Sequence, residues 1–311
     1  MLNNKKFLIG LMLYGMLHYA QAEVLVILPE SGPMARAGLS IKQGFMSAYQ
    51  ATDQKTVIKF VNSDQKSIAQ LLKQNLNKKT KMIVGPLARS EVEALMRAQP
   101  KVRVLALNDV VPQAKNVWQF SLSKKDDAYA LHQVVQKDQI KQLYIVRQKS
   151  TEQDSELFMM ALIGQADYPI RVLDEVPLKL PRQSGLLLLG SYDWINGLKK
   201  LPKKNLYVLA NSIEQNQTLP RGVKFCDTPA LYGAIWPDVI QAYQQNPVSM
   251  SYQRLLAFGG DVWHITEQYL QQPKLKTIEF QGRTGWIQIN DNQIQRTPQC
   301  YKKKKKGLRM L

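Results

Sequence analysis

The sequence has few of the side chains that carry most enzymatic chemistry. Its 311 residues include three histidines and two cysteines, and it contains no HExxH, paired CxxC or GxSxG motif. His132 and His264 each stand alone in a predicted helix, where a histidine is usually a structural residue. Zinc sites and serine triads need several such groups acting together, so we expect neither an enzyme nor a metal or cofactor site.

Long hydrophobic runs are also missing, except at the N-terminus. Two lysines, an apolar stretch over residues 7–17 and the sequence Ala20-Gln21-Ala22 form the pattern of a secretory signal peptide. An uncleaved anchor is the alternative, but a membrane-spanning helix needs roughly 20 apolar residues. We therefore expect residues 1–22 to be a cleaved signal peptide and the protein to be periplasmic. Because Glu23 and not a cysteine would begin the mature chain, we do not expect a lipid anchor.

Acidic residues are scarce, since 42 Lys and Arg oppose 24 Asp and Glu and give a net charge of +18. The hydrophobic fraction of 45% is enough for a packed core and excludes a disordered or collagen-like chain. A chain of this length forms one large or two ordinary domains. Nucleic acid is not an expected partner, because an exported protein seldom meets it.

The C-terminal segment 302–311 is strongly basic. Adjacent lysines repel each other, so we expect this segment to be a disordered, solvated tail that contacts an anionic envelope surface. Its basic residues are Lys302, Lys303, Lys304, Lys305, Lys306 and Arg309.

Cys226 and Cys300 both follow the export signal, in a compartment where a disulfide persists. Sequence does not give the distance between them, so one disulfide or two buried free thiols both remain open.

Short apolar runs alternate with helical patterns along the chain, which predicts an α/β fold with parallel sheets. The pattern becomes irregular near 108–123, as expected at a boundary between two lobes, and two helices follow each other within 236–272. A β-hairpin is predicted around the turn 290–292. The predicted strands are Val24–Leu28, Val57–Val61, Met82–Val84, Val104–Leu107, Leu143–Val146, Leu186–Leu189 and Leu206–Leu209.

Two loops that join a predicted strand to a helix could line a ligand cleft. Open α/β sheets bind ligands at the carboxyl ends of their strands, although an ordinary strand-to-helix turn is an equally good interpretation of each loop. Neither loop has the spacing of a phosphate-binding loop. The cleft candidates are Ser31, Gly32, Arg36, Asn62, Ser63, Gly85, Pro86 and Asn108.

Several sequence blocks, in order, resemble the LppC family of penicillin-binding protein activators. They span essentially all of the chain after residue 22: LPESGPMARAGLSIKQGFMSAY, IVGPLARSEVEAL, VLALND, VWQFSLSKKDDA, FCDTP, RLLAFGGDVWHI and GRTGWIQINDNQIQR. The resemblance implies a type I periplasmic-binding-protein-like fold, in which two doubly wound parallel-sheet lobes are joined by several chain crossings. It places residues 23–124 and about 236–272 in lobe 1, and about 125–235 and 273–301 in lobe 2.

The resemblance also implies a function. Members of the family are outer-membrane lipoproteins that stimulate the transpeptidase activity of a class A penicillin-binding protein. This sequence departs from them because it has neither the lipid-attachment cysteine nor the helical-repeat domain of the longer members. We therefore expect a non-catalytic activator or regulator of peptidoglycan synthesis, whose basic body would favour an acidic docking domain.

The alternative function is a periplasmic solute-binding protein for an amino acid or small peptide. A solute binder needs a deep polar cleft with unpaired hydrogen-bond donors. A regulator could instead have this crevice filled by apolar side chains, and we expect Met34, Leu87 or Trp118 to fill it.

Overall fold

A computed structural model describes residues 22–53 and 55–311. The predicted signal peptide, apart from Ala22, lies outside these ranges and stays a prediction. No helix in the described ranges has both the length and the apolar character that a membrane crossing requires.

The described chain alternates strands with helices, and all seven predicted strands are present within two residues of their predicted ends. The strands are β1 Glu23–Leu28, β2 Val57–Asn62, β3 Thr80–Val84, β4 Arg103–Ala106, β5 Val117–Gln119, β6 Gln142–Arg147, β7 Ile170–Leu173, β8 Ser184–Leu189, β9 Leu206–Val208, β10 Lys224–Asp227, β11 Thr277–Gln281, β12 Trp286–Asn290, β13 Gln293–Thr297, β14 Gln299–Lys303 and β15 Leu308–Met310. The helices are α1 Ala35–Gln50, α2 Ile68–Asn75, α3 Arg89–Ala98, α4 Lys124–Lys137, α5 Glu152–Gln165, α6 Tyr192–Gly197, α7 Pro237–Gln245 and α8 Met250–Gln271.

The strands form two sheets, each the centre of one lobe. The first sheet has the order β11-β12-β13-β5-β4-β3-β1-β2, and the second has the order β15-β14-β10-β9-β8-β6-β7. Parallel pairs dominate both, and antiparallel pairs are confined to β11–β13 and to β10, β14 and β15. The chain passes between the lobes after β5, after β10 and at Pro298. This is the predicted α/β fold class, which is confirmed.

Each sheet is covered on both faces, which explains why its central strands are apolar at nearly every position. In β1, Val24 and Val26 face one core while Leu25 and Ile27 face the other. The same alternation places Leu187 and Leu189 of β8 in one core of the second lobe, and Leu186 and Leu188 in the other. A side chain turns to the opposite face at each step along a strand, so a strand buried on both faces reads as a continuous apolar run.

Helices α1 and α8 make the closest helix–helix contact of the first lobe. A Cβ atom at Gly44 would lie 1.8 Å from the Leu256 carbonyl oxygen, and one at Gly259 would lie 2.1 Å from that of Ile41. Only glycine allows backbones to approach so closely. The pair brings α8 onto the first lobe, although β10 of the second lobe precedes it in the chain.

The predicted placement of residues 273–301 in lobe 2 is wrong for most of this segment. Strands β11, β12 and β13 extend the first sheet, where Gln293 pairs with Gln119 of β5. Ile287 and Ile289 are fully buried in the first core. Alternation along the sequence shows that a hairpin forms, but the sheet it joins depends on long-range pairing.

The prediction of a disordered tail over 302–311 is also wrong. Lys302 and Lys303 end β14, and β15 pairs with it through Tyr301–Met310, Lys302–Arg309 and Lys303–Leu308. An edge strand needs only backbone partners, so the segment is ordered although Lys302 and Lys303 are only half-buried and Lys305 and Lys306 are exposed.

A disulfide joins Cys226 of β10 to Cys300 of β14, which are opposite each other in the antiparallel register. Of the two alternatives left open by the sequence, the structure has the disulfide. It connects the strand before one chain crossing to the strand after another.

Candidate functional site

The predicted cleft candidates lie around one edge of the first sheet, apart from Arg36 in the first turn of α1. Strands β4, β3, β1 and β2 are adjacent and parallel, so their carboxyl ends meet at this edge. Ser31 and Gly32 follow β1, Asn62 ends β2 and Ser63 follows it, Gly85 and Pro86 follow β3, and Asn108 follows β4.

Three side chains at this edge bind one another. The Ser31 hydroxyl donates to Asp64 Oδ2 at 2.8 Å, and Asn62 Nδ2 donates to Ser31 Oγ at 2.8 Å. Asn62 Oδ1 accepts from the backbone N–H groups of Glu30 and Asp64. Gly32 has φ +70°, and a Cβ there would lie 2.5 Å from Asp64 Oδ1. The cluster therefore shapes the loop, and the sequence analysis missed Asp64 because its role depends on this fold.

The second loop is held mainly by backbone bonds. Gly85 N–H donates to the Leu105 carbonyl at 2.8 Å, and the Pro86 carbonyl accepts from Leu107 N–H at 3.0 Å. Asn108 Nδ2 donates to the Leu87 carbonyl at 3.0 Å. These groups join the ends of β3 and β4 and are not left open to a ligand.

Arg36 and Ser63 differ from the other candidates. The Arg36 guanidinium lies 4.5 Å from the ring centre of Tyr252 on α8, a cation–π arrangement. The Ser63 hydroxyl is buried and makes no hydrogen bond with any described residue. One unsatisfied hydroxyl falls short of the two or three donors that hold an amino-acid carboxylate.

The expectation that apolar side chains fill the crevice is only partly met. Leu87 and Trp118 are buried, but they belong to the core of the first lobe. Met34 is 39% exposed and does not fill the crevice. On the second lobe, the cavity beside the ends of β9 and β10 has a volume of about 10 Å³, room for about one water molecule.

An ion pair that the sequence analysis missed joins the two lobes. Arg254 on α8 donates through Nε to Asp227 Oδ1 and through Nη2 to Asp227 Oδ2, both at 2.8 Å. Nη2 also donates to the Ala210 carbonyl at 2.7 Å. Burial and the Asp227 carboxylate raise the pKa of the Tyr232 hydroxyl, which stays protonated and donates to Asp227 Oδ2. A bidentate, buried pair of this kind fixes the relative position of two elements.

A second contact joins β13 to α4. Arg296 Nη2 donates to Asp127 Oδ1 at 2.5 Å, and Nη1 donates to the Thr284 carbonyl at 3.1 Å. The neighbouring Asp126 has a pKa raised to about 7, mainly by burial and in part by Asp109 and Asp127, while Arg296 opposes the rise.

The two histidines have structural surroundings. His132 Nδ1 lies 3.2 Å from the Tyr168 hydroxyl, and the ring of His264 packs on Phe280 with 4.4 Å between ring centres. Burial, followed by the charge of Arg283, lowers the pKa of His264. Within the described ranges, no group of three or more His, Cys, Asp or Glu could hold a metal ion.

Helix α5 exposes a stripe of large apolar side chains. Leu157 and Met160 are each 63% exposed and Ile163 is 56% exposed, at spacings that place them on one face of the helix. The opposite face buries Phe158, Met159 and Leu162 in the second core. We call Leu157, Met160 and Ile163 the α5 face.

The α5 face lies in an acidic part of a basic protein. Residues 152–175 contain six acidic side chains and one basic one, Arg171. One of the acids, Glu156, pairs with Arg147 at 2.8 Å. The strand β7 within this acidic part is one edge of the second sheet, and at the other edge β14, β15 and the turn between them carry the six basic residues of the C-terminal segment.

Part of the chain matches a known protein family. Residues 11–150 match the family model described as "LppC putative lipoprotein". Over these residues the chain is similar to the LppC family. The resemblance seen in the sequence blocks is thereby confirmed.

Two named relatives of this LppC-like chain are activators. Over 299 residues it is 24% identical to the penicillin-binding protein activator LpoA of Haemophilus ducreyi, an alignment that covers 86% of the chain and 51% of LpoA. The chain thus spans about half the length of the curated relatives it matches. A similar protein from Glaesserella parasuis, 25% identical over 297 residues, has the same name. Both names describe activators and not enzymes, in agreement with the predicted absence of catalysis.

Solved structures share the fold of this chain. The LpoA C-domain from Haemophilus influenzae, described as a regulator of PBP1A, superposes with a TM-score of 0.73 at 18% identity and covers 93% of this chain and 100% of that one. The substrate-binding protein LivJ from Streptococcus pneumoniae, solved with isoleucine, has a TM-score of 0.56 at 10% identity, covering 94% and 99%. Regulators and solute binders therefore both have this architecture.

Proposed function

We propose that the protein is a non-catalytic, periplasmic regulator of peptidoglycan synthesis that acts by contact with a class A penicillin-binding protein. The names of the curated relatives support this function. The fold does not decide between a regulator and a solute binder. The mutual pairing of Ser31, Asn62 and Asp64 argues against amino-acid binding, because these groups are already hydrogen-bonded.

The α5 face is the observation that carries the proposal. A surface helix normally has one apolar stripe and one polar face, whereas α5 is apolar on both. Exposed apolar area costs roughly 25 cal/mol per Å², and contiguous patches of this kind mark protein contacts. A macromolecular partner that covers Leu157, Met160 and Ile163 would remove that cost.

Charge indicates the chemistry of the partner. The acidic rim of the α5 face, formed by residues such as Glu152 and Asp154, suits a surface with an apolar centre and Lys or Arg around it. Elsewhere on the molecule, the excess of positive charge that gives a net charge of +18 would repel a partner surface rich in Lys or Arg. The acidic docking domain expected from the sequence would suit the basic edge β14–β15 and not the α5 face. We propose that this basic edge faces an anionic component of the envelope.

The test is transpeptidase activity of the class A penicillin-binding protein from the same organism, measured on lipid-linked precursor with added regulator. The wild-type chain should stimulate the synthase. The double variant Leu157→Gln/Met160→Gln should weaken stimulation and binding by about tenfold or more, as is typical when central apolar contacts are lost.

Leu39→Gln is the matched control, because it changes an exposed leucine on a helix of the other lobe. Unfolding midpoints should agree for all three proteins, which shows that each is folded. No stimulation and no binding by the wild-type chain would refute the proposed function. Stimulation that the double variant retains in full would refute the α5 face as its site.

A further inference from the structure

A polar groove lies between the β12–β13 hairpin of the first lobe and the helices α4 and α5 of the second. Its volume is about 680 Å³, within the range of small-ligand sites. Eight of its fifteen lining residues carry carboxamides: Gln113, Gln119, Gln165, Gln288, Asn290, Asn292, Gln293 and Gln295. It is lined by none of the cleft candidates described above.

The hairpin supplies a flat surface of amides. Gln288 pairs across the strands with Gln295, and Asn290 pairs with Gln293. On β12, Ile287 and Ile289 alternate with these amides and are fully buried, so strand alternation turns the amides outward into the groove.

Much of the hydrogen-bonding capacity of this surface is unused. Among the described residues, the side chains of Gln113, Asn290, Gln293 and Gln295 have no hydrogen-bond partner, whereas Gln288 has one and Gln119 has two. Gln165 Oε1 is buried and unpaired, although Gln165 Nε2 donates to the Lys125 carbonyl at 3.4 Å. The four carboxamides without a partner can therefore donate to and accept from a ligand in the groove.

The lining chemistry selects the ligand. A carboxamide both donates and accepts without net charge, as does a hydroxyl group. Charged groups in the groove are of mixed sign, namely Asp109, Asp126 and Lys125, so neither an anion nor a cation is favoured. Tyr129 is 38% exposed and offers a ring face beside the amides.

We infer that this groove binds a neutral oligosaccharide, whose hydroxyl or acetamido groups pair with the hairpin amides while one sugar ring stacks on Tyr129. An extended peptide is less suitable, because apolar side chains would find only Val110 and Ile294 in addition to Tyr129. The inference does not depend on the proposed regulatory function.

The experiment titrates the ¹⁵N-labelled full chain with three probes: N-acetylglucosamine tetramer, cellotetraose and the peptide Gly-Gln-Gly-Gln. Binding is followed by calorimetry and by NMR. At least one saccharide should bind with a Kd of about 1 mM or tighter. It should shift side-chain amide signals of the hairpin. The double variant Gln293→Ala/Gln295→Ala should bind that saccharide at least about tenfold more weakly, because two carboxamides that pair with it are lost.

The matched control is Gln244→Ala/Gln245→Ala, which makes the same change at two exposed positions on α7. It should bind as the wild-type chain does, and all variants should keep dispersed NMR spectra that show an intact fold. Absence of binding by both saccharides, equal binding of the peptide, or unchanged affinity in the hairpin variant would each overturn the inference.

Discussion

At the scale of single residues, the junction between the lobes is built from buried charges with matched partners. Arg254 binds Asp227 through two hydrogen bonds, and Arg296 binds Asp127. Arg296 Nε nevertheless has no partner among the described residues. Asp126 stands in the same region, next to three other charged groups. Its raised pKa of about 7 makes the charge of this carboxyl group depend on pH in the neutral range.

Asp126 predicts a pH dependence of stability. Its pKa of about 7 in the folded protein exceeds the ordinary value of 3.8 because burial disfavours the carboxylate. Between these pH values the folded state holds a proton that the unfolded state has released, so the free energy of unfolding falls as pH rises and levels off above 7.

Urea unfolding of the wild-type protein and Asp126→Asn at pH 5 and pH 8 measures this effect. The wild-type protein should lose stability relative to the variant between the two values, since asparagine does not titrate. Equal changes in both proteins would show that Asp126 has an ordinary pKa.

At the scale of elements, the C-terminal strands show how backbone pairing outweighs side-chain repulsion. The backbone of β15 pairs with β14, while the lysines between them extend from a turn at Gly307, which has φ +67°. Strand β14 is in turn covalently joined to β10 through Cys226 and Cys300. The edge of the second sheet is therefore stabilised by backbone hydrogen bonds and one disulfide.

Removal of the disulfide should destabilise this edge. The bridged residues are 74 apart in sequence, and loss of a native disulfide typically costs about 2–5 kcal/mol. Denaturant unfolding of Cys226→Ala/Cys300→Ala should show that loss. Because the chain has only these two cysteines, a reducing agent should lower the wild-type protein to a similar stability and leave the variant unchanged. Insensitivity of the wild-type protein to reduction would mean that the bond does not form in solution.

At the scale of the whole molecule, three chain crossings and the Arg254–Asp227 pair hold the lobes in one arrangement. A solute binder opens and closes about such crossings, and buried ion pairs across the junction oppose that motion. Because the lobes keep one arrangement, their outer faces have a fixed geometry for a partner to contact. Residues 152–175, which include α5 and the edge strand β7, are acidic, whereas the opposite edge of the same sheet, β14–β15, is basic, so the molecule carries surfaces of both signs despite its net charge.

Arg254→Ala tests how the lobes are held. The variant leaves Asp227 buried without its cation, which is expected to cost about 3–5 kcal/mol in the free energy of unfolding. Small-angle scattering should also show a larger radius of gyration as the lobes separate. Arg97→Ala, an exposed arginine on α3, should change stability by no more than about 0.5 kcal/mol. If Arg254→Ala resembles this control in both measurements, the pair does not hold the lobes together.

The seven predicted strands, the α/β class and the resemblance to the LppC family could be recognised from the amino-acid order alone, because each depends on residues close together in the chain. Apolar runs such as Leu186–Leu189 form buried strands wherever a sheet has helices on both faces. Loops with glycine after β1 and β3 mark strand-to-helix turns in the same local way. These features therefore needed no knowledge of the partner strands.

The folded chain was needed to show which sheet β11–β13 joins, that the basic segment forms β15, and that Cys226 meets Cys300. Each of these is a pairing between distant segments, and the alternation of side chains along one strand carries no information about its neighbour. The same holds for Asp64, Arg254 and the hairpin amides, whose partners or cavities come from elsewhere in the chain. Local chemistry specifies an element, whereas the burial of its faces against other elements specifies its place.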